Sequence, residues 1–381
     1  MKFKLSRREF LKAGMLSLLA PAGAATLGKF SINAQDPPPP QYESGGDHGH
    51  GAMGTVGTVS HNGFDPMDML YDYDYGQVSK LSNGQTLREY EFRAVDLEVE
   101  IAPGVFFPAW VYGSLTSPES QRLNAAGKGD LVGRVPGPTI RCVEGDRIRI
   151  NFINTGTHPH TIHFHGIHSA AMDGIPGIGD GLINPGDSTI YEFDAAPFGC
   201  HLYHCHSFPL KRHIHKGLYG AFIVDPDPEK YSGVDKKIAK TRNHLYPESD
   251  AINEMVMIMN GFDTNFDGDN EVYAANSIAF AYMNEPIKIR SNQRQRLYLI
   301  NVTEFDPINS LHLHANFFDY YDHGTTLQPT LKTVDTIMQC QAQRGILEFS
   351  FEGFEPGRYM FHAHQSEFAE LGWMGFFEVD K

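Results

Sequence analysis

An internal duplication constrains the fold of this chain more than any other feature of its sequence. Three stretches of the first half recur in the second half in the same order: 138–154 in 286–301, 162–166 in 311–315, and 199–206 in 357–364. A repeat of this length indicates two copies of one domain. Each copy has about 140 residues, a common size for a β-sandwich.

The repeated segments have the pattern of short strands. In residues 88–101 apolar side chains alternate with charged ones, apart from one slip near Val95. Residues 138–154 form two alternating stretches that meet at Glu144-Gly145-Asp146, and no long segment has a helical period. The sequence therefore predicts an all-β protein.

The first 35 residues have the pattern of an export signal. Arg7 and Arg8 are followed by Phe-Leu-Lys and then by a short apolar stretch, which resembles a twin-arginine signal. The alternative is a membrane anchor, but the stretch is short and rich in Gly and Ala. We expect a cleaved signal and a periplasmic or extracellular protein.

The segment after the signal predicts a linker. Residues 36–86 begin with prolines 37–40 and continue through a glycine-rich tract with His48 and His50, so we expect them to be flexible. The first domain is expected at 87–226 and the second at 227–381, joined near Asp225-Pro-Asp-Pro228.

The formal net charge of −15 argues against nucleic acid or an anionic membrane surface as a partner. Taken alone, it weakly favours cationic or neutral small molecules.

Histidine is abundant, with 19 residues, and eight of them form His-x-His pairs in strand-like sequence. The four pairs are His163/His165, His204/His206, His312/His314 and His362/His364. Side chains at i and i+2 of a strand lie on the same face, so each pair presents two imidazoles side by side. Imidazole binds copper, zinc, iron and nickel. Two pairs at matching places in each repeat strongly indicate metal ligands.

Cys205 lies between His204 and His206, which places its thiol on the opposite face of the strand. A thiolate on one face and imidazoles on the other suit two different metal sites, linked by a short covalent path. His160 and His213 could complete a trigonal site of the blue copper type. The alternative, a disulfide with Cys200, is disfavoured because five residues separate the two in an extended strand.

The remaining cysteines are Cys142, Cys200 and Cys340. Three thiols cannot all pair, so we expect one disulfide and one buried thiol.

Together these motifs resemble the two-domain multicopper oxidases, or small laccases, over roughly residues 87–381. The resemblance rests on His-Phe-His-Gly at 163–166, His-Cys-His-Ser at 204–207, Leu-His-Leu-His at 311–314 and His-Ala-His at 362–364. It implies two cupredoxin-like Greek-key β-sandwiches. It also implies a copper enzyme that couples one-electron oxidation of a phenol, aromatic amine or metal ion to the four-electron reduction of O2 to water.

The resemblance also implies about four copper ions per subunit and assigns their ligands. The type 1 copper would take His160, Cys205 and His213, with the non-ligating Leu218 at the axial position and His215 as the competing third ligand. The type 2 copper would take His163 and His312. The type 3 pair would take His165, His204, His206, His314, His362 and His364.

The second repeat lacks a type 1 site. The matching positions hold Asn309, Ala363, Phe368 and Trp373, so we expect one blue copper, in the first domain. The resemblance further implies a homotrimer, with the type 2 and type 3 ligands of neighbouring subunits meeting at each interface. It gives Asp173 a part in proton delivery; the alternative is a turn residue, since Gly174 follows it.

Two other functions are compatible with parts of the pattern. Copper nitrite reductases share His160, Cys205 and His213, but that family has aspartate where this chain has His163 and lacks a histidine in the place of His206. An electron-transfer protein without catalysis would need the blue site but not the eight paired histidines.

Overall fold

Strands dominate the computed structural model of the protein, which describes residues 61–381. The predicted signal at 1–35 and the tract with His48 and His50 lie outside the described residues. Within the described part, no helix is both long and apolar enough to cross a bilayer.

The first repeat folds into two sheets. Its strands are β1 (Tyr73–Asp74), β2 (Gln77–Lys80), β3 (Thr86–Ala102), β4 (Val105–Ser114), β5 (Gly133–Arg134), β6 (Gly137–Val143), β7 (Arg147–Asn154), β8 (His163–Phe164), β9 (Ser188–Asp194), β10 (Gly199–His204) and β11 (Tyr219–Asp225). One sheet has the order β1-β6-β11-β10-β8. The other has the order β5-β4-β3-β7-β9, with β2 paired to β3.

The second repeat also folds into two sheets. Its strands are β12 (Ile252–Phe262), β13 (Val272–Ala275), β14 (Ile287–Arg290), β15 (Arg294–Asn301), β16 (Ile308–Leu313), β17 (Phe318–Asp322), β18 (Leu331–Val334), β19 (Thr336–Cys340), β20 (Arg344–Phe349), β21 (Gly357–His362) and β22 (Met374–Asp380). The sheet orders are β13-β12-β15-β20-β17-β18 and β14-β22-β21-β16-β19.

Helices are short; the first precedes β1 and the others lie between strands. They are α1 (Pro66–Met69), α2 (Pro118–Ala125), α3 (Leu210–His215), α4 (Gly233–Thr241), α5 (Ala281–Asn284) and α6 (Ser366–Glu370), with 3₁₀ turns at Pro228–Lys230, Pro247–Ser249 and Ala170–Met172. The all-β prediction is confirmed.

Strand pairing shows the duplication directly. In the first sandwich β6 runs parallel to β11 and β7 runs parallel to β3. In the second, β14 runs parallel to β22 and β15 runs parallel to β12. The strands β6 and β7 come from segment 138–154, and β14 and β15 come from the matching segment 286–301. Equivalent sequence therefore takes equivalent places in the sheets of the two sandwiches.

Residues 61–86 are ordered, so the prediction of a flexible segment is wrong for this part of 36–86. β1 pairs with β6, and β2 pairs with β3. Leu70 is fully buried, and Asp74 accepts a hydrogen bond of 2.6 Å from the Ser114 hydroxyl. The segment is largely polar, so its sequence gave no indication of these contacts.

One hydrophobic core is shared by the two sandwiches. Tyr90 and Phe92 of β3 pack inside the first sandwich, whereas Ile101 of the same strand packs in a cluster that includes Val256 and Ile258 of the second. The slip in alternation near Val95 therefore marks the point at which β3 changes from one core to the other.

A buried ionic cluster also joins the two sandwiches. The Glu254 carboxylate lies 2.7 Å from guanidinium nitrogens of both Arg141 and Arg296, and the Tyr298 hydroxyl donates to it. Burial alone would raise the pKa of Glu254, but Arg141 and Arg296 lower it from 4.5 to about 2. The carboxylate is therefore charged at neutral pH and holds β6 against β12 and β15.

The expected disulfide is absent, because all four cysteines are free. Cys142 lies in the core of the first sandwich and Cys200 in the shared core. Cys340 is exposed at the end of β19. The three thiols belong to separate environments, so none has a partner.

Replacing Glu254 by Gln is expected to lower the free energy of unfolding at pH 7 by about 3 kcal/mol, because it removes a buried carboxylate that pairs with both Arg141 and Arg296. Each guanidinium keeps one other carboxylate partner, Asp225 for Arg141 and Glu348 for Arg296. A lowered pKa stabilises the fold above pH 4.5 and loses that contribution as pH falls toward 2. The difference between wild type and variant should therefore shrink over this range. Denaturant unfolding of the metal-free proteins at a series of pH values measures it.

The matched control is Glu248→Gln, which removes an exposed ion pair with Lys240. It should leave the denaturation midpoint unchanged. Equal effects of the two substitutions would show that the buried cluster is not a special determinant of stability.

Candidate metal centres

Strand β10 and the two residues that follow it, Cys205 and His206, divide the candidate ligands between two faces. Cys200 and Leu202 pack in the shared core. Tyr203 and Cys205, which are also two residues apart, pack in the core of the first sandwich. The Cys205 thiol therefore points into the sandwich. The flanking His204 and His206 lie on the other face, as the alternation of a strand requires.

Three buried side chains converge at the Cys205 thiol. The sulfur lies 3.3 Å from Nδ1 of His213 and 4.0 Å from Nδ1 of His160, and the two imidazole nitrogens are 3.2 Å apart. His213 is contributed by α3, and His160 bridges to Ile183 just before β8. The backbone N–H of Thr161 donates to the sulfur at 3.4 Å.

The chemistry of this donor set fits a copper ion. Burial, reinforced by neighbouring histidines, lowers the pKa of His160 to about 3. Burial together with His158 and Arg212 lowers that of His213 to about 4. Both imidazoles are thus neutral and free to coordinate. Burial raises the pKa of the Cys205 thiol, so a cation is needed to hold it as the thiolate.

The axial and competing residues are also placed by the structure. Leu218 is fully buried in the same apolar cluster as Cys205, and its carbonyl accepts from the Cys205 N–H. His215 lies apart from the thiol: its Nε2 accepts from the backbone N–H of Asp263, and its ring contacts Phe107. The geometry thus groups His213, and not His215, with Cys205.

The first two His-x-His pairs form one cluster, here called half-site 1 (His163, His165, His204 and His206). Nε2 of His165 lies 3.2 Å from Nε2 of His204, and the ring of His163 lies 5.1 to 5.3 Å from the other three rings. Burial, with the nearby His204 and Arg344, lowers the pKa of His165 to about 2. Burial lowers that of His204 to about 4.

The other two pairs form half-site 2 (His312, His314, His362 and His364). Nε2 of His314 lies 2.8 Å from Nε2 of His362, and the ring of His312 lies 4.8 to 5.5 Å from the other three. Within strand pairs, His163 opposes His204 and His312 opposes His362. The two half-sites thus have the same construction.

Backbone carbonyls orient these rings in matching ways. Nδ1 of His163 bonds to the Asp173 carbonyl, and Nδ1 of His312 bonds to the Asp335 carbonyl. Similarly, His204 bonds to the Cys205 carbonyl, and His362 bonds to that of Ala363. Each bond fixes the tautomer and leaves Nε2 as the free ligand atom.

Two hydroxyl groups also support the half-sites, and sequence reasoning missed both. Thr161 accepts from the His206 N–H at 2.9 Å, and Ser310 accepts from the His364 N–H at 2.8 Å. The signal was available, because these hydroxyl residues occupy equivalent positions two residues before His163 and His312.

The half-sites do not meet within one chain. No group of three convergent ligand atoms in residues 61–381 combines histidines of the two sandwiches. Each half-site has an exposed apolar residue close to it in sequence: Ile167 is 67% exposed and Phe317 is 53% exposed.

The position of a thiolate site in the second sandwich is filled by other groups. Asn309 donates to the Thr303 hydroxyl, and the Trp373 indole donates to the Ser310 carbonyl. Phe368 stacks on Tyr273 with ring centres 4.0 Å apart. Ala363, in the place of a cysteine, is fully buried. The pocket is packed and offers neither a thiolate nor an imidazole.

Asp173 lies against half-site 1. Its Oδ1 is 3.1 Å from Nδ1 of His163 and 3.7 Å from Nε2 of His168. Gly174 has φ +64, and a Cβ there would lie 1.9 Å from the Ile162 carbonyl, so this turn requires glycine. Both earlier interpretations of Asp173, a proton carrier and a turn residue, are compatible with its position.

Trp110 is a further residue that the sequence did not single out. Its ring lies 4.9 Å from that of His213, 5.4 Å from that of His160 and 4.4 Å from that of His158. His160 and His213 are almost fully buried beneath it. Because Trp110 comes from β4, no spacing motif connects it to the ligands.

Comparison with known proteins gives the family. Two family models described as multicopper oxidase match residues 130–229 and 252–381. A solved multicopper oxidase structure is 50% identical, with a TM-score of 0.72 over 85% of this chain and 100% of that one.

Curated relatives match over smaller parts of their own length. A probable nitrite reductase-hydroxylamine oxidoreductase fusion protein of Kuenenia stuttgartiensis is 30% identical over 81% of this chain and 33% of its own. Laccase 1 of Metarhizium acridum is 34% identical over 30% of this chain and 18% of its own. The chain therefore spans a third or less of these relatives.

Both domain matches fall on the two sandwiches, and the solved relative has the same architecture over its whole length. The predicted cupredoxin-like fold is thus confirmed, and copper is the metal that the family binds. The chain belongs to the two-domain multicopper oxidases.

Proposed function

We propose that this protein is a laccase-like oxidase that takes single electrons from a small reductant and reduces O2 to water. One observation carries the proposal: Cys205, grouped with His160 and His213 on one face of its strand, is covalently flanked by two histidines of half-site 1. When bound, copper would supply one-electron acceptance at the thiolate site and oxygen reduction at the histidine pairs.

The proposed ligand sets follow the resemblance to two-domain multicopper oxidases, and the clustering of the histidines within each half-site supports them. His160, Cys205 and His213 would hold one ion. His163 and His312 would hold a second. The remaining six paired histidines would hold two more, giving four per subunit. The peptide links from Cys205 to His204 and His206 offer a short covalent route between the two sites. Asp173 is suited to exchange protons beside His163.

The separation of the half-sites supports a homotrimer as part of the proposal. A complete cluster needs both half-sites, and the chain keeps them apart. A head-to-tail interface joins two different surfaces and can close into a ring, which would bring half-site 1 of one subunit to half-site 2 of the next. The exposed Ile167 and Phe317 supply apolar surface for such a contact. The arginine pair Arg7 and Arg8 supports export as a further part of the proposal.

Nitrite reduction is the alternative function, and the Kuenenia stuttgartiensis relative gives it a specific basis. A mononuclear catalytic copper would leave some of the paired histidines unused. In this chain, His163 and His206 both belong to half-site 1, with rings 5.3 Å apart. This complete set of imidazoles favours the oxidase.

Copper analysis and oxygen uptake test the proposal together. The reconstituted protein should bind about four copper ions per chain and consume O2 with a phenol or a cuprous or ferrous ion as donor. Nitrite should not replace O2 as acceptor. A content of about two ions with nitrite turnover would establish the alternative, and about one ion without turnover would leave an electron carrier.

A Cys205→Ser variant should lose the intense visible absorption and oxygen uptake with one-electron donors, because serine cannot supply the soft thiolate. Its far-ultraviolet circular dichroism should match that of the wild type. Cys340→Ser is the control, since that thiol is exposed and free. Turnover that survives Cys205→Ser would contradict the electron route.

Mixing two inactive variants tests the assembly. His163→Ala/His165→Ala breaks half-site 1, and His312→Ala/His314→Ala breaks half-site 2. If clusters form between subunits, random co-assembly should restore about a quarter of the wild-type activity, because a quarter of the interfaces pair two intact halves. Each variant alone should stay inactive. A co-assembled mixture without activity would show that both halves come from one chain.

A further inference from the structure

A cleft of about 350 Å³ lies beside the thiolate site. Its charged and aromatic groups are those of Asp96, Glu98, Trp110, His158, Arg212 and Lys216. Trp110 separates the cleft from the buried His160 and His213. A molecule in this cleft would therefore reach the thiolate site through the indole and not by touching a ligand histidine.

Lys216 is a buried cation of the cleft with no acidic partner. Only 6% of the residue is exposed, and its Nζ donates to the Pro108 carbonyl at 2.5 Å. The ring centres of Phe266, Phe107 and Trp110 lie 4.7, 5.3 and 5.7 Å from Nζ. Within residues 61–381, no carboxylate lies within 4.0 Å of Nζ. Burial and the nearby Arg212 lower the pKa of Lys216 to about 8, although Asp96 opposes them. A buried ammonium with unused donors is costly unless an anion approaches it.

Arg212 adds a second cation without a carboxylate partner among the described residues. Its guanidinium carbon lies 5.1 Å from the centre of the Trp110 ring. The two acids of the cleft have other contacts: Asp96 accepts from the Thr157 N–H, and Glu98 lies 3.9 Å from His61. Arg212 and Lys216 lie 5.1 and 5.7 Å from the centre of the Trp110 ring, so both cations adjoin the indole in the cleft.

We propose that this cleft binds an aromatic reductant through an acidic substituent, with a carboxylate on Lys216 and Arg212 and the ring against Trp110. This inference rests on the proposed function and names the substrate class of the same site. In each step the bound ring would lose one electron to the copper held by Cys205. A phenol would also release one proton to water, and the carboxylate would be unchanged.

The positive charges of Lys216 and Arg212 favour an anion in the cleft, although the net charge of the chain favours cationic or neutral molecules. A total of −15 disfavours anions at long range, but that effect is screened over about 10 Å in ordinary salt. Lys216 and Arg212 would contact the anion directly, and burial strengthens the interaction with Lys216. The cleft would therefore select a carboxylate despite the acidic surface.

Calorimetry on the copper-loaded full-length protein tests the proposal with benzoate, which is not consumed as a reductant. Benzoate should bind at one site per subunit and at least about tenfold more tightly than benzyl alcohol or benzylammonium. Lys216→Met should weaken benzoate binding by about tenfold or more, and the exposed Arg212→Gln by a few-fold. Neither should change the binding of benzyl alcohol.

Two variants provide controls. Lys211→Gln removes a positive charge from the same helix but outside the cleft, where the lysine contacts Phe305, and should leave benzoate binding unchanged. Asp96→Asn should tighten it, because a negative charge leaves the rim. If Lys216→Met does not fold, Arg212→Gln and Asp96→Asn still give changes of opposite sign.

Two results would overturn the inference: benzoate binding no tighter than benzyl alcohol, or equal losses in Lys211→Gln and Arg212→Gln. Neither result bears on oxygen uptake with a ferrous donor. Conversely, a protein that binds benzoate as expected but consumes no O2 would disprove the proposed function and leave the anion site intact.

Discussion

The two faces of one short strand determine how this protein arranges its chemistry. Adjacent residues of a strand must point in opposite directions. Cys205 therefore enters the core of the first sandwich while its two neighbours contribute to half-site 1. The pairing of β10 with β8 and β11 fixes the orientation of this strand.

Because the two sandwiches arose as copies of one domain, they have equivalent hydrogen bonds around their half-sites. They differ in that only the first has a thiolate site. In each half-site, the ring of the first histidine bonds to a backbone carbonyl. In each, a hydroxyl group, that of Thr161 or Ser310, also accepts a hydrogen bond from the backbone N–H of the last histidine. These contacts depend on the strand register, which the repeat keeps. The thiolate site depends on particular side chains, and Ala363 and Phe368 abolish it without disturbing the sheet.

Much of the fold and site could be predicted from sequence because both follow periodic rules. Alternation identified β3, β6 and β7, and the spacing of the histidines placed each pair on one face. Contacts between distant segments carry no such signal. The order of residues 61–86, the unpaired Cys200 and the cover formed by Trp110 all depend on tertiary packing. The sequence therefore predicted which histidines and cysteine lie together better than it predicted their surroundings.

The shared core has a mechanical consequence. Because β3 contributes side chains to two cores, and Glu254 ties β6 to the second sandwich, the two halves cannot rotate against each other without exposing apolar surface. The distance between half-site 1 and half-site 2 within one chain is then fixed. In the proposed assembly, any adjustment that closes a complete cluster would therefore occur at the contact between separate chains, and the shape of that contact would set how accurately the metals are spaced.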